Sequence, residues 1–173
     1  MTPARDSRIT RQHLERSAII YIRQSSPEQV RVNVESTRLQ LGLRQKAIAL
    51  GWPHPVVVDD DLGVSAGGYA DRKGFQEMLT QVALRRVGII LCSDASRLSR
   101  NSKDWAHLFE LCGYFQTLIA DVEQIYDLTQ PNDRLVMGIK GTMSEMELVI
   151  LRNRLRHGVE AKAAGASSSS SCP

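Results

Sequence analysis

Two short segments of this chain set arginine beside a hydroxyl at the end of an apolar run. Tyr21-Ile22-Arg23-Gln24-Ser25 closes the run that begins at Ala18, and Ser96-Arg97-Leu98-Ser99-Arg100 follows the run Val87 to Leu91. A serine hydroxyl beside fixed guanidinium groups is what attack on a phosphodiester requires. The hydroxyl supplies the new ester oxygen, and the arginine forks meet the charge that develops on the nonbridging oxygens. At about 4 Å and an effective dielectric near 20, one arginine-phosphate attraction is about 4 kcal/mol before desolvation, so a few together can replace a metal.

The elements that must position these groups are legible as alternating apolar runs and amphipathic stretches. Ala18 to Ile22 reads as a buried strand, and Val34 to Leu50 as a helix with Val34, Leu41, Ala47, Ile48 and Leu50 on its apolar side, stopped by Gly51-Trp52-Pro53. A second strand, Val56 to Val58, runs into the acidic, glycine-rich loop Asp59 to Gly68. Phe75, Met78, Leu79 and Val82 recur at helical spacing before a third strand, Val87 to Leu91. Trp105, Leu108, Phe109 and Leu111 mark another helix, Thr117 to Ala120 a fourth strand, and Asn132-Asp133 the cap of a long last helix. The fold class expected is α/β, a mostly parallel central sheet flanked by helices and followed by a long C-terminal helix. Ligands of such sheets bind outside the carboxyl ends of the strands, so the loops after the first three strands should converge on one edge.

The last helix carries Leu135, Ile139, Met143, Met146 and Ile150 along one face, with Val149, Leu151, Leu155 and Val159 extending it. From Asn132 to Ala164 it would reach about 50 Å at about 1.5 Å per residue, longer than a domain of this size covers. It is read as a dimer helix whose basic end, Arg152, Arg154, Arg156 and Lys162, lies along DNA, the alternative being fraying beyond about residue 155, where Gly158 and Gly165 weaken the helical signal. Four segments follow from this: a polar N-terminal extension over 1–17, the catalytic domain over 18–131, the long helix over 132–164, and a disordered serine-rich tail over 165–173.

Composition bounds the classes. The 173 residues suit one domain, with 42% hydrophobic residues for a core and a net charge of +3 that permits a nucleic-acid partner without demanding one. Seventeen of the 22 basic residues are arginine, the side chain suited to forked phosphate contacts. No apolar stretch reaches the length of a membrane span and Met1 to Ser17 lacks a signal-peptide core, so a cytoplasmic protein with no membrane partner is expected. Cys92, Cys112 and Cys172 have neither metal nor redox spacing and are read as reduced, mostly buried thiols. His13, His54, His107 and His157 all lie away from the candidate edge, which argues against a Ser-His-Asp hydrolase, and no Walker loop is present to cradle ATP. Asp59, Asp60, Asp61 and Asp94 leave open a magnesium-dependent nuclease, although the arginines would crowd the cation.

From Ala18 to His157 the chain resembles the catalytic domain of the resolvase/invertase family, the serine recombinases, and especially members with long chains or transposon association. The resemblance rests on Tyr21, Arg23, Ser25 and Gln29 in the spacing of the family's opening signature, with Gln40 matching a further glutamine. Asp61-Leu62-Gly63-Val64-Ser65 is similar to its Asp-x-Gly-x-Ser loop, Asp71-Arg72-Lys73-Gly74 to its Asp-Arg-x-Gly turn, and Arg97-Leu98-Ser99-Arg100 to its Arg-Leu-x-Arg segment. Glu147 matches a glutamate near the start of the long helix. The order and spacing of these motifs together are specific where each alone is not.

What the resemblance implies is cleavage and rejoining of double-stranded DNA through a phosphoserine intermediate on Ser25, by a homodimer that pairs into a tetramer for strand exchange, with no cofactor and no metal. Arg23, Arg97 and Arg100 would bind the scissile phosphate with Arg72 in support, Tyr21, Gln29 and Gln40 would order the site, and Asp61 would orient an arginine or help move the proton. Two positions depart from the family pattern. Ser96 stands where aspartate is common, with Asp94 as a substitute, and Leu148 where arginine is common, with Arg152 or Lys140 left to compensate. Relatives carry a DNA-recognition domain after the long helix, whereas this sequence closes on Ser167-Ser168-Ser169-Ser170-Ser171-Cys172-Pro173, so a shortened recombinase is expected. The rival reading is a catalytically idle DNA-binding or oligomerisation fragment.

Overall fold

The computed structural model describes residues 6–22, 33–59, 73–99, 102–142, 150, 153–154 and 156–157. Five strands form one sheet: β1 (Ser17–Tyr21), β2 (Val56–Val58), β3 (Val87–Leu91), β4 (Leu118–Ala120) and β5 (Ile125–Tyr126), in the order β2-β1-β3-β4-β5. The first four are parallel, as the alternation of strands and helices predicts. β5 pairs antiparallel with β4. That short last strand is absent from the sequence reading because a two-residue Ile-Tyr stretch has no periodicity to detect.

Period-two alternation in β1 sends Ile19 and Tyr21 to one face and Ala18, Ile20 and Ile22 to the other, and all of them are buried. Each face has its own helices. Helix α2 (Asn33–Leu50) covers the second face with Leu43 and Ala47, flanked by Leu39 and Leu50. The apolar side expected from sequence therefore needs correction: Leu41 and Ile48 are 54% and 52% exposed. Leu39, Leu43, Ala47 and Leu50 fall on one helical stripe, and Leu41 and Ile48 lie outside it. The helix ends at Gly51, where the Gly51 amide donates to the Ile48 carbonyl and the Trp52 amide to that of Ala47. The opposite face is covered by α3 (Lys73–Ala83), α4 (Ser102–Phe115) and the helical residues 131–142, here α5. Phe75, Met78, Leu79 and Val82 of α3, Leu108 and Cys112 of α4 and Met137 of α5 enter its core. Helix α5 starts one residue ahead of the expected cap, at Pro131, a residue suited to a first helical position because it has no amide hydrogen to leave unpaired.

The segment ahead of β1, read from sequence as a polar extension, is folded onto the domain from Asp6 onward. A short helix α1 (Arg11–Leu14) lies against β3, with Ile9 and His13 buried. A Cβ on Gly88 would stand 2.0 Å from the His13 carbonyl oxygen, so the strand accepts this helix only because it has no side chain there. Arg8 donates to the Ile125 carbonyl, Arg16 to the Phe115 carbonyl at 2.8 Å, and the Trp52 indole to the Arg16 carbonyl at 2.9 Å. Charged side chains satisfying distant carbonyls leave no hydrophobic signature in the sequence, which is why the segment looks detached.

Candidate active site

The register of the sheet brings the strand ends together. Ile20 is level with Val57 on one side and Leu91 on the other, and Leu91 is level with Ala120. Beyond the ladder, the Ile22 amide donates to Val58 at 3.1 Å and the Cys92 amide to Ala120 at 2.9 Å. Residues following β2, β1, β3 and β4 therefore leave from a single carboxyl edge. β1 runs to β2 on one side and β3 lies on the other, which makes the β1/β3 boundary the point where connections diverge and a crevice opens. The two arginine-hydroxyl segments start at the two strands that border it.

Of the residues singled out from sequence, Arg23, Ser25, Gln29, Asp61, Arg72, Arg100, Glu147, Arg152 and Lys162 lie outside the described residues, as do Asp60 and the serine-rich tail. Tyr21 ends β1 with its ring in the core, edge-on to Phe75 at 6.1 Å between centroids, so it anchors the strand from which Arg23 and Ser25 depart. Gln40 is half-buried on α2. Arg154 and Arg156 are helical and exposed.

The segment after β3 is built around a side-chain cap. Ala95–Arg97 forms a single 3-10 turn, and the Asp94 carboxylate accepts the Ser96 amide at 2.9 Å at its start. The Leu98 amide closes the turn on the Ala95 carbonyl. Ala95 and Leu98 are buried and pin the turn to the core, and Ser99 is buried with them. Asp94 thus sets the backbone at Arg97, a positioning task that its place two residues before Ser96 does not reveal.

A second polar group lies at the same edge and went unrecognised in the sequence. Asp121 follows β4 with its side chain only 2% exposed, yet it is fully hydrogen-bonded. One oxygen, Oδ1, accepts the Glu123 and Gln124 amides, both at 2.9 Å; Oδ2 accepts the Tyr126 hydroxyl at 2.9 Å and the Lys140 ammonium at 2.8 Å. Burial by itself would raise the carboxyl pKa, but the hydrogen bonds from Lys140, Gln124, Tyr126 and Glu123 outweigh it and hold the group below the ordinary value. Lys140 shows the mirror image. Burial works against its charge, and Asp121, Tyr126 and Glu123 more than compensate, so its pKa is raised. The ammonium also meets Glu123 at 3.2 Å and lies 5.2 Å from the centre of the Tyr126 ring. Lys140 is thus engaged by Asp121, Glu123 and Tyr126 within the domain. The available signal was a lone lysine between Ile139 and Gly141 in an otherwise uncharged stretch of the helix.

Cys92 and Cys112 are buried free thiols, and burial raises the pKa of both, which leaves them unreactive. Among the described residues no helix is long and apolar enough to cross a membrane, and no group of three or more His, Cys, Asp or Glu could hold a metal ion.

A sheet of this order, with arginine and serine following the strands at its switch point, defines a serine-recombinase-like catalytic domain. The chain belongs to the resolvase family: residues 18–167 match the family described as the resolvase N-terminal domain. Over 153 residues it is 49% identical to the uncharacterized protein y4bA/y4pH of Sinorhizobium fredii (strain NBRC 101917 / NGR234), a match taking in 87% of this chain and 22% of that protein. The chain therefore spans less than a quarter of that relative's length. A resolvase family site-specific recombinase from Streptococcus pneumoniae has the same fold, with a TM-score of 0.57 at 20% identity over 86% of this chain and 99% of that one. The N-terminal catalytic domain of TP901-1 integrase matches with a TM-score of 0.50 at 20% identity over 78% of this chain and 98% of its own.

Proposed function

We propose that this chain cleaves and rejoins double-stranded DNA by transfer of a phosphodiester to Ser25. The Ser25 hydroxyl oxygen forms a bond to phosphorus as the bond from phosphorus to the 3′ oxygen breaks. The hydroxyl proton is lost and the 3′ oxygen leaves as a hydroxyl, so one phosphodiester is exchanged for another and the bond energy is kept for rejoining. Arg23, Arg97 and Arg100 bind the nonbridging oxygens, with Arg72 in support. Tyr21, Gln29 and Gln40 order the surroundings, and Asp61 orients an arginine or assists the proton. The observation that carries this reading is the pairing of β1 with β3 in a member of the resolvase family, which starts the Tyr21-Ser25 and Ser96-Arg100 segments from neighbouring strand ends.

The protein acts as a homodimer in this reading, and as a tetramer during strand exchange. Support comes from α5, where Leu135, Val136 and Ile139 are 64%, 38% and 52% exposed although the opposite side of the helix buries Met137 completely. Arg152, Arg154, Arg156 and Lys162 follow the DNA backbone, a contact that weakens steeply with salt.

Incubation with a nicked suicide DNA substrate, followed by denaturing electrophoresis and mass spectrometry, tests the chemistry. A covalent adduct on Ser25 that disappears in Ser25→Ala supports it. DNA binding without an adduct supports a catalytically idle DNA-binding or oligomerisation fragment, a reading favoured by Ser96 and Leu148 at two positions where the family pattern differs. Adduct-free cleavage abolished by EDTA points to a metal-dependent nuclease.

A further inference from the structure

We propose that Asp121 and Lys140 form a positioning latch that fixes α5 on the carboxyl edge of the sheet, and that strand cleavage depends on it. The proposal rests on the DNA-cleavage reading for its second half only.

Asp121 joins three parts of the molecule, the β4-β5 turn, α5 and α2. Its carboxylate closes the β4-β5 turn through the Glu123 and Gln124 amides and reaches α5 through Lys140. Its backbone carbonyl accepts from Lys46 of α2, the helix that follows the β1 loop. Ala120, the residue before it, is level with Leu91 at the end of β3, so the latch stands beside the strand that leads to Arg97.

Near its start α5 is held by Asp133, which accepts the Asp127 amide at 2.9 Å and lies 3.7 Å from Arg8, and by Arg134, whose guanidinium lies 4.6 Å from the centre of the Phe109 ring. Where α5 crosses α4 it presents Gly141 to Trp105, and a Cβ there would stand 2.2 Å from the indole nitrogen. That close approach depends on the absence of a side chain at 141. Met137 is the apolar anchor of the described helix, with Leu135 and Ile139 facing outward. Asp133 and Arg134 lie in the first turn of α5, so the hydrogen-bonded pair of Lys140 with buried Asp121 is the polar contact nearer the other end of the described helix, and any other position of Lys140 leaves a buried carboxylate without that partner.

The test compares the wild-type chain with Lys140→Met, Asp121→Asn, the double variant and Lys140→Arg. Asparagine at 121 keeps an acceptor for the turn amides and removes the charge that faces Lys140. Hydrogen exchange should show protection of residues 131–142 falling at least about tenfold in either single variant while β1 and β3 keep theirs. The double variant should be no worse than the single ones, as expected for two members of one interaction. With the suicide substrate, Lys140→Met should slow Ser25 adduct formation at least about tenfold with DNA affinity held within about twofold, and Lys140→Arg should recover most of the rate. Unchanged protection of α5, or additive losses in the double variant, overturns the latch. Loosened α5 with an unchanged adduct rate overturns its link to cleavage. A wild-type chain that forms no adduct overturns the DNA-cleavage reading instead, and the exchange measurements then decide the latch by themselves.

Discussion

The N-terminal segment and the Asp121 cluster both fasten distant pieces of chain with polar groups, but they do so in opposite ways. Around residues 6–16 the charged partners stay near the surface: Arg8 is 34% exposed, bonds a carbonyl of β5 and lies 3.7 Å from Asp133 of α5. Around Asp121 a charge is withdrawn almost completely from water and every lone pair is used. A surface attachment of the first kind is assembled from many weak contacts and loses little when one is removed. A buried one is nearly all-or-nothing, because deleting one partner strands the other. The second kind suits a place where geometry must be reproduced, and it lies on the edge that carries the candidate chemistry.

The comparison breaks most visibly at Asp121. Asp121→Ala leaves the Lys140 ammonium, the Tyr126 hydroxyl and two turn amides without their acceptor and is expected to cost about 3–5 kcal/mol in urea unfolding. A loss below about 1 kcal/mol would place the cluster in the same class as the surface contacts. Gly141→Ala forces the α4-α5 crossing apart at Trp105 and should destabilise by about 1–3 kcal/mol, with a change in tryptophan emission. Trp52→Phe removes a single indole donor to Arg16 from the N-terminal attachment and should cost about 0.5–1.5 kcal/mol. Arg11→Ala breaks an exposed pair with Glu15, the residue that follows α1, and its effect should stay within about 0.5 kcal/mol.

Acid separates the two regions by pH window. His13 is buried, and burial lowers its pKa, with the Gln116 carbonyl and Asp127 partly opposing the shift and Arg16 adding to it. Its Nδ1 accepts the Thr10 amide at 3.0 Å, a bond available only to the unprotonated nitrogen. The unfolded chain therefore binds the proton more readily, and stability should decline as pH falls below about 6.5, the ordinary histidine value. Asp121, depressed instead, contributes stability above the ordinary carboxylate value of about 3.9 that is lost as pH falls through its lower folded value. Urea titrations from pH 7 to pH 3 should show a first decline that His13→Gln flattens and that Asp121→Asn leaves in place. A first decline insensitive to His13 would show that the N-terminal attachment does not respond to this proton.

Much of the sheet was legible because its strands are short, continuous apolar runs whose identity does not depend on what they pair with. Ala18 to Ile22 and Val87 to Leu91 differ from β1 and β3 by no more than one residue at either end. The candidate site was legible as two segments at two strand ends, and pairing of β1 with β3 makes those ends neighbours. Less legible was the orientation of α2, where Leu41 and Ile48 share the hydrophobicity of Leu43 and Ala47 and only packing against Ile20 and Leu91 selects between them. Asp94, read from sequence as a substitute for the aspartate common at position 96, caps the turn that carries Arg97, a role set by local backbone geometry.

By itself the amino-acid sequence determined the alternation of strands and helices and membership of a family whose motifs it repeats in order. These are local properties, carried by residue type and by spacing over a few positions. Tertiary structure decided that residues 6–16 belong to the domain, that a fifth strand runs antiparallel, and that Lys140 serves Asp121. Each of these joins groups far apart in the chain, Arg8 to Ile125 or Asp121 to Lys140, through hydrogen bonds whose donors and acceptors look like ordinary surface residues until the fold buries them together.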